Sequence, residues 1–333
     1  MRAPECTFPV LLQDFFQRRL ITQRAVSANT IASYRDTFAL LLAYLEQSTG
    51  RSPSELTLEE LDAPTVLAFL DHLEAERGNS PRTRNLRLTA IRAFLRYASI
   101  REPTSLPVAQ RVLAIPTKRF DRPALDYLSR EEVQALLKAP DRSTWSGERD
   151  AVLLAVMYNT GARVSEITGL CVDHVLLERS FAVHLHGKGR KQRVVPLWKS
   201  TAALLRRWLL RVERSAGAPV FPNRSGQRLS RSGVEYRLRD ALAKASKEFP
   251  SLQARRISPH TLRHTTAMHL LQSGVDITVI ALWLGHEDIA TTHLYVEADL
   301  EMKDAALKKL GDPETKSVRF RAPDRLLAFL QGL

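Results

Sequence analysis

The stretch Ser258–Glu297, SPHTLRHTTAMHLLQSGVDITVIALWLGHEDIATTHLYVE, decides how the C-terminal half of the chain folds. It contains two patterns of apolar residues at helical spacing. The first begins after Pro259 and continues to Leu271, and the second ends at Gly285, a residue type that commonly terminates helices. The stretch therefore predicts two consecutive helices.

Four polar side chains lie at the edges of these two apolar patterns: His260, Arg263, His286 and Tyr295. A guanidinium group binds phosphate through charge-assisted hydrogen bonds, and a phenol can act as a nucleophile. A phosphate that Arg263 holds and Tyr295 attacks would explain why these groups stand outside the apolar pattern.

The composition indicates a globular protein of about two domains, since the chain has 333 residues and a domain has roughly 150. Two cysteines, Cys6 and Cys171, are too few for a disulfide framework or a cysteine-rich zinc site. No apolar run approaches the roughly 20 residues of a membrane helix, and the first ten residues do not resemble a secretory signal. We expect a cytoplasmic, nucleoid-associated protein without a membrane partner.

The charge balance favours a polyanionic partner. Lysine and arginine number 49 against 36 aspartates and glutamates, which gives a net charge of +13. Double-stranded DNA is the leading candidate and an anionic membrane the second, while a generally basic, solvated surface is the simplest alternative.

The N-terminal third of the chain predicts a bundle of four helices. Apolar residues recur at helical spacing in 7–22, 27–47, 64–78 and 81–98, and no segment alternates as a strand would. We therefore assign residues 1–102 to a helical domain. Four prolines and several basic residues follow, and predict a linker over 103–127.

A polar stripe runs along the fourth predicted helix. Its members are Arg82, Asn85, Thr89, Arg92 and Arg96. Stacked like charges repel one another, and a phosphate backbone would relieve that repulsion, with the asparagine near a base edge. The stripe, together with Lys118 and Arg119 in the linker, is a candidate DNA-binding surface; a solvated arginine face is the alternative.

The sequence of the second domain, 128–311, predicts mostly helices and one β-hairpin. A capping box at Ser129 starts the first helix, and further helices are expected over 201–215, 232–249 and 299–310. Residues 180–186 and 192–197 alternate and flank a basic turn that contains Lys188. The tail, 312–333, ends in a short apolar helix from Pro323. The fold class is mostly α with a small β-hairpin or sheet (α+β).

Four separated motifs resemble the tyrosine recombinase (phage-type integrase) family, and Xer-like and mobile-element integrases in particular. They are TGARVSEITGL around Arg163, HGKGRKQRVVPL around Lys188, SPHTLRHTTAMHLL around Arg263, and LGHEDIATTHLY, which ends in Tyr295. The resemblance implies a core-binding domain that clamps DNA and a catalytic domain. It also implies site-specific recombination through a 3′-phosphotyrosyl intermediate, for DNA integration or transposition, without metal or other cofactor.

The residue types agree with the roles that this resemblance implies for the phosphate and the leaving group. Arg163 and Arg263 would bind the two non-bridging oxygens as planar forks. Lys188 at a hairpin tip would protonate the leaving 5′-oxygen, with Arg190 and Lys191 as nearby competitors. A surface arginine paired with Glu166 and a solvated basic turn are the structural alternatives.

The resemblance makes Tyr295 the nucleophile. His260 would take or steer its proton, and His286 would donate a hydrogen bond to the phosphate. Glu166 would orient its neighbours, whereas His264, His269 and His293 are interpreted as structural. A core tyrosine and structural histidines are the alternatives for the three proposed active-site residues.

Two competing functions are a catalytically idle DNA-binding protein and a type IB topoisomerase.

A zinc site is disfavoured, because Arg263 lies between His260 and His264 in the sequence and no acidic residue is adjacent. The resemblance further implies a homotetramer on paired sites, assembled through the C-terminal helix, and leaves the need for accessory recombination proteins open.

Overall fold

The structure is a computed structural model that describes residues 7–121, 125–178, 180–187, 192–286, 291–292 and 295. The chain divides into two compact units, Met1–Arg122 and Pro123–Leu333. Both are largely helical, and the second also contains a small antiparallel sheet. The predicted fold class is therefore confirmed. Among the described residues, no helix is both long enough and apolar enough to cross a membrane.

The first unit is a helical bundle around an aromatic core. Its helices are α1 (Phe8–Asp14, continued as a π-helix over Phe15–Gln23), α2 (Ala28–Thr49), α3 (Ala63–Ala75), α4 (Pro81–Arg101) and α5 (Leu106–Leu113). Ser27, Asp62 and Ser80 cap α2, α3 and α4 by accepting main-chain N–H bonds. The rings of Phe15 and Phe38 pack edge-on against Phe94, with centroids 5.6 and 5.3 Å away.

The predicted linker, 103–127, is wrong in its first half. Residues 106–113 form α5, and Ala109 and Val112 are fully buried in the bundle core. Pro107 does not break this helix, because it lies in the first turn, where its missing N–H has no helical partner to lose. The helical domain thus extends beyond residue 102.

The second unit surrounds a buried central helix. Its elements are α6 (Arg130–Lys138), α7 (Trp145–Thr160), α8 (Val164–Thr168), β1 (Val175–Leu176), β2 (Ala182–His186), β3 (Gln192–Pro196), α9 (Lys199–Trp208), α10 (Arg231–Ala245), α11 (Pro259–Gln272) and α12 (Ile277–Leu284). Helix α7 is buried on nearly every side. The helix predicted over 201–215 ends earlier, at Trp208.

The sheet has the order β1-β2-β3, and β2 and β3 form the predicted hairpin. Val183 faces Val195 across the hairpin, and both are fully buried in the main core of the unit. A second, smaller apolar cluster lies between α11 and α12 and includes Tyr295. The helices predicted over 299–310 and from Pro323 lie outside the described residues.

Candidate active site

Arg263 is the most deeply buried cation of the candidate site. It lies on α11, is 2% exposed, and donates hydrogen bonds to the carbonyl oxygens of Gly161 (2.7 Å) and Leu284 (2.8 Å). These carbonyls end α7 and α12, where helix termini carry partial negative charge. Burial, and secondarily the nearby Arg163, lowers the pKa of Arg263 to about 10, so the side chain stays charged at neutral pH.

Arg163 lies beside it and is more accessible. It is the N-cap residue of α8, and its side chain is 38% exposed. Its guanidinium donates to Oε1 of Glu166 (3.0 Å) and to the carbonyl of Gly285 (3.2 Å). Two predicted phosphate ligands are thus held at the C-terminal end of α12, one buried and one facing solvent.

Glu166 is the carboxylate at the centre of this cluster, and its side chain is fully buried. Both of its oxygens accept hydrogen bonds from Arg193, at 2.7 and 2.8 Å. Burial alone would raise the pKa of Glu166, but hydrogen bonds and charge from Arg193, and the contacts with Arg163, outweigh it, so the pKa is lowered. Glu166 therefore contacts two arginines of the site, and its supporting role stays a prediction.

Arg193 had no role in the sequence-based prediction. It lies on β3, where alternation places it on the same face as the buried Val195. A charged residue on the inward face of a strand requires a partner, and this was the signal in the sequence. The partner, Glu166, lies 27 positions away, and spacing alone does not identify it.

Two glycines allow the helix ends to approach the arginines. Gly161 ends α7 with φ +58°, and a Cβ there would lie 2.5 Å from Cδ2 of Leu284. Gly285 ends α12 with φ +67°, and a Cβ there would lie 3.0 Å from Nη1 of Arg193. Both positions need the left-handed backbone and the space that glycine provides.

Tyr295 is 2% exposed and packs in the apolar cluster of α11 and α12. Its hydroxyl is hydrogen-bonded to Nδ1 of His264 at 2.9 Å. Burial raises the pKa of the phenol, while Arg263 and Arg163 oppose that effect. Burial, and then the charges of His260 and Arg263, lowers the pKa of His264 to about 4. A neutral His264 therefore faces a protonated phenol at neutral pH.

The described partner of the phenol is a histidine other than the predicted His260, whose role as the base stays a prediction. The described hydrogen bond of the Tyr295 hydroxyl goes to His264, one helical turn further along α11. His260 is exposed, and its ring centroid lies 4.3 Å from that of His264. Residues four apart share a helix face, so the sequence allowed either histidine, and only the position of Tyr295 distinguishes them.

His286 follows α12 and reaches the same site. Its ring stacks near that of Tyr295, with centroids 6.2 Å apart, and its Nδ1 lies 2.7 Å from Oγ1 of Thr292. Burial, followed by the charges of Arg263 and Arg163, lowers the pKa of His286 to about 4. When Nδ1 accepts a hydrogen bond from the Thr292 hydroxyl, the proton of the neutral ring is on Nε2, which is then a donor.

Lys188 and its competitors Arg190 and Lys191 lie outside the described residues, as does His293. The flanking strands are described: His186 at the end of β2 pairs with Gln192 at the start of β3. Within the described part of the chain, no group of three or more histidine, cysteine, aspartate or glutamate side chains could hold a metal ion.

In the first unit, the predicted stripe lies along α4 with Arg82, Thr89 and Arg96 exposed. Burial, together with repulsion from Arg96 and Arg84, lowers the pKa of Arg92. Crowding of like charges along α4 is therefore a feature of the structure.

The Asn85 side chain is already engaged within the first unit. Its amide donates to the carbonyl of Lys118 (2.8 Å) and accepts from the N–H of the same residue (3.1 Å). Asn85 thus holds the basic segment that follows α5, and its contact with a base edge stays a prediction. Arg119, next in the chain, is exposed.

Two known families match the chain. Residues 126–302 match the Phage integrase family, and residues 13–102 match the Phage integrase, N-terminal SAM-like domain. The integrase/recombinase y4rC of Sinorhizobium fredii is 52% identical over 97% of both chains. The tyrosine recombinase XerD of Pseudomonas putida is 34% identical over 85% of this chain and 91% of its own.

Two solved structures share the fold. The Tn1549 transposon integrase in complex with transposon right end DNA has a TM-score of 0.69 and 16% identity, and covers 90% of this chain and 99% of its own. A lambda integrase tetramer bound to a Holliday junction has a TM-score of 0.61 and 14% identity, and covers 87% and 77%. With the family match over most of its length, the chain belongs to the phage integrase family, and it is a tyrosine recombinase that breaks and rejoins DNA at specific sites through a tyrosine-linked intermediate.

Proposed function

We propose that Tyr295 is the nucleophile and that Arg163 and Arg263 hold the phosphate it attacks. The phenolic oxygen bonds to phosphorus as the bond from phosphorus to the 5′-oxygen breaks, which leaves a 3′-phosphotyrosyl link and a free 5′-hydroxyl. A 5′-hydroxyl from another duplex then reverses the step and joins new partners. Lys188 would protonate the leaving 5′-oxygen, and His286 would donate to a phosphate oxygen.

The observation that supports this proposal best is the excess positive charge around Glu166. Arg163 and Arg193 bind the one buried carboxylate, while Arg263 and Arg163 bind carbonyls at the ends of α7 and α12. The described contacts use two of the five N–H donors of Arg163 and two of those of Arg263, so each has donors for a phosphate. An anion placed there would balance charge that the described residues leave uncompensated.

We propose that the observed position of Tyr295 is a resting position. At 2% exposure the ring must move before its oxygen can reach a DNA phosphate. Transfer of the proton of a phenol, with an ordinary pKa of about 10, to a group with a pKa of about 4 would cost about 8 kcal/mol. His264 therefore holds the hydroxyl at rest, and the exposed His260 remains the proposed base once DNA is bound.

The α4 stripe and the segment with Lys118 and Arg119 would contact DNA phosphates. The lambda integrase structure is described as a tetramer on a Holliday junction. We propose the same assembly for this chain, with the tail from Pro323 docking on a neighbouring subunit and accessory recombination proteins assisting at some sites. The protein would act in the cytoplasm, on the nucleoid.

A nicked suicide substrate tests the nucleophile. The wild-type protein should form a covalent protein–DNA adduct on a denaturing gel, and Tyr295→Phe should form none while still binding the DNA. Tyr158→Phe is a matched control, because Tyr158 is a half-buried tyrosine in the same unit that is hydrogen-bonded to His269 at 2.7 Å. An adduct with Tyr295→Phe, or none with the wild type, would contradict the proposal.

Deletion of residues 323–333 tests the assembly. Binding to a single site should change little, whereas pairing of two sites should weaken strongly, as measured by native gel electrophoresis. Equal loss of both would argue against docking on a neighbour.

A further inference from the structure

None of the roles proposed above involves Arg193, although in the described contacts this side chain donates more hydrogen bonds than that of Arg163 or Arg263. It is 11% exposed and donates three hydrogen bonds: two to Glu166 and one, from Nε, to the carbonyl of Trp283 at 2.8 Å. Every one of its three guanidinium nitrogens is therefore engaged in orienting another group.

The partners of Arg193 are connected to the acceptors of Arg163. Oε1 of Glu166 accepts from both arginines, at 2.7 Å from Arg193 and 3.0 Å from Arg163. The other acceptor of Arg163 is the carbonyl of Gly285, two residues beyond Trp283 at the end of α12. Arg193 thus braces both groups that fix the direction of the Arg163 guanidinium.

This arrangement differs from an ion pair that serves stability alone. Arg255 forms ion pairs of that kind, because it binds two carboxylates, Asp126 and Glu132, in the same unit. At Arg193 the arrangement is the opposite: two arginines, Arg193 and Arg163, share the one buried carboxylate of Glu166, and a third, Arg263, donates to the carbonyls of Gly161 and Leu284 nearby. Crowding of cations is unfavourable in a buried site unless an anion joins them, so the arrangement favours binding of a phosphate over stability.

We propose that Arg193 is a positioning residue for the phosphate: through Glu166 and the end of α12 it holds Arg163 in the direction of the scissile phosphate. The role rests on the proposed function, because it requires that Arg163 binds that phosphate. Arg193 itself makes no contact with DNA in this proposal. Its removal should slow strand cleavage without weakening DNA binding.

The test compares two nicked suicide substrates in single-turnover cleavage. One carries the natural phosphodiester. In the other, a methylphosphonate replaces the scissile phosphate, which removes its negative charge, so that less charge stabilisation by Arg163 is needed. Misplacement of a binding group by about 1 Å can cost about 100-fold in rate. We expect Arg193→Ala to cleave the phosphodiester about 100-fold more slowly than wild type, and the methylphosphonate less than tenfold more slowly.

Two further variants separate positioning from folding. Arg193→Lys keeps the charge but loses the fork, and should recover part of the phosphodiester rate. Arg255→Ala removes another ion-paired arginine of the same unit. It should lower the melting temperature and leave the ratio of the cleavage rates of the two substrates unchanged. DNA affinity, measured by fluorescence anisotropy at fixed salt, should stay within about threefold of wild type for each variant, since none removes a proposed phosphate contact.

Three outcomes would overturn the proposal. If Arg193→Ala and Arg193→Lys cleaved both substrates equally slowly while the wild-type protein formed an adduct, Arg193 would be a structural residue and not a positioning one. Recovery of Arg193→Ala on a substrate with a 5′-thiolate leaving group, but not on the methylphosphonate, would connect it to leaving-group protonation instead. Absence of an adduct with the wild-type protein would overturn the proposed function as well.

Discussion

Replacing Gly161 with alanine tests how closely α7 and α12 must approach to hold the arginines. The residue has φ +58°, and a new Cβ would lie 2.5 Å from Cδ2 of Leu284, which is fully buried. The left-handed backbone costs alanine about 1–2 kcal/mol, and an extra methyl group in a packed core costs about 1–3 kcal/mol more. We therefore expect the free energy of unfolding to fall by about 2–5 kcal/mol.

Urea denaturation followed by tryptophan fluorescence measures this change in the second unit. All four tryptophans of the chain lie within Pro123–Leu333, so the signal reports that unit. Because the carbonyl of Gly161 also accepts from Arg263, adduct formation on the nicked substrate should slow more than the loss of folded protein explains.

Gly274→Ala is the matched control. Gly274 has φ +82°, lies in the same unit, and a Cβ there would meet no atom within 4 Å. It should lose only the backbone contribution of about 1–2 kcal/mol and cleave at the wild-type rate. If Gly161→Ala lost no more stability than Gly274→Ala, and cleaved normally, the close packing of the two helix ends would not be what holds Arg263.

Three other predictions concern charge. Glu166→Gln should lower the free energy of unfolding by about 3–5 kcal/mol in urea denaturation, because it leaves two arginines beside a neutral, fully buried side chain; an unchanged value would contradict the importance of this pair. His264 and His286 have folded-state pKa values of about 4, below the usual 6.5, so the unfolded chain binds more protons between these values. The free energy of unfolding should be constant above pH 6.5 and fall as the pH is lowered from 6.5 to 4, by at most about 1.4 kcal/mol per pH unit for each histidine before solvent screening. His264→Gln should flatten this slope of stability against pH, and an unaltered slope would refute the low pKa assigned to His264. For about eight phosphate contacts, the slope of log DNA affinity against log salt concentration should be near −7. In anisotropy titrations, Arg92→Ala and Arg96→Ala should each reduce the magnitude of this slope by about 1. A slope that neither variant changes would exclude the α4 stripe from DNA contact.

The sequence by itself located most of the helices of the described residues and proposed the members of the site that belong to motifs. Apolar spacing located α11 and the glycine at 285 located the end of α12, each to within a residue, because these signals act within one element. The order of the motifs then identified Arg163, Arg263 and Tyr295 as candidates. The structure brings the two arginines to the end of α12 and places Tyr295 against α11 and α12.

Only the tertiary structure decided which side chains meet. The pairing of Arg193 with Glu166, the choice of His264 over His260 at the phenol, and the inclusion of α5 in the bundle all depend on contacts between distant segments. Periodicity shows which face of an element is buried, but not what that face packs against. A partner is selected by the relative positions of whole helices and strands, and these follow from the packing of the complete core.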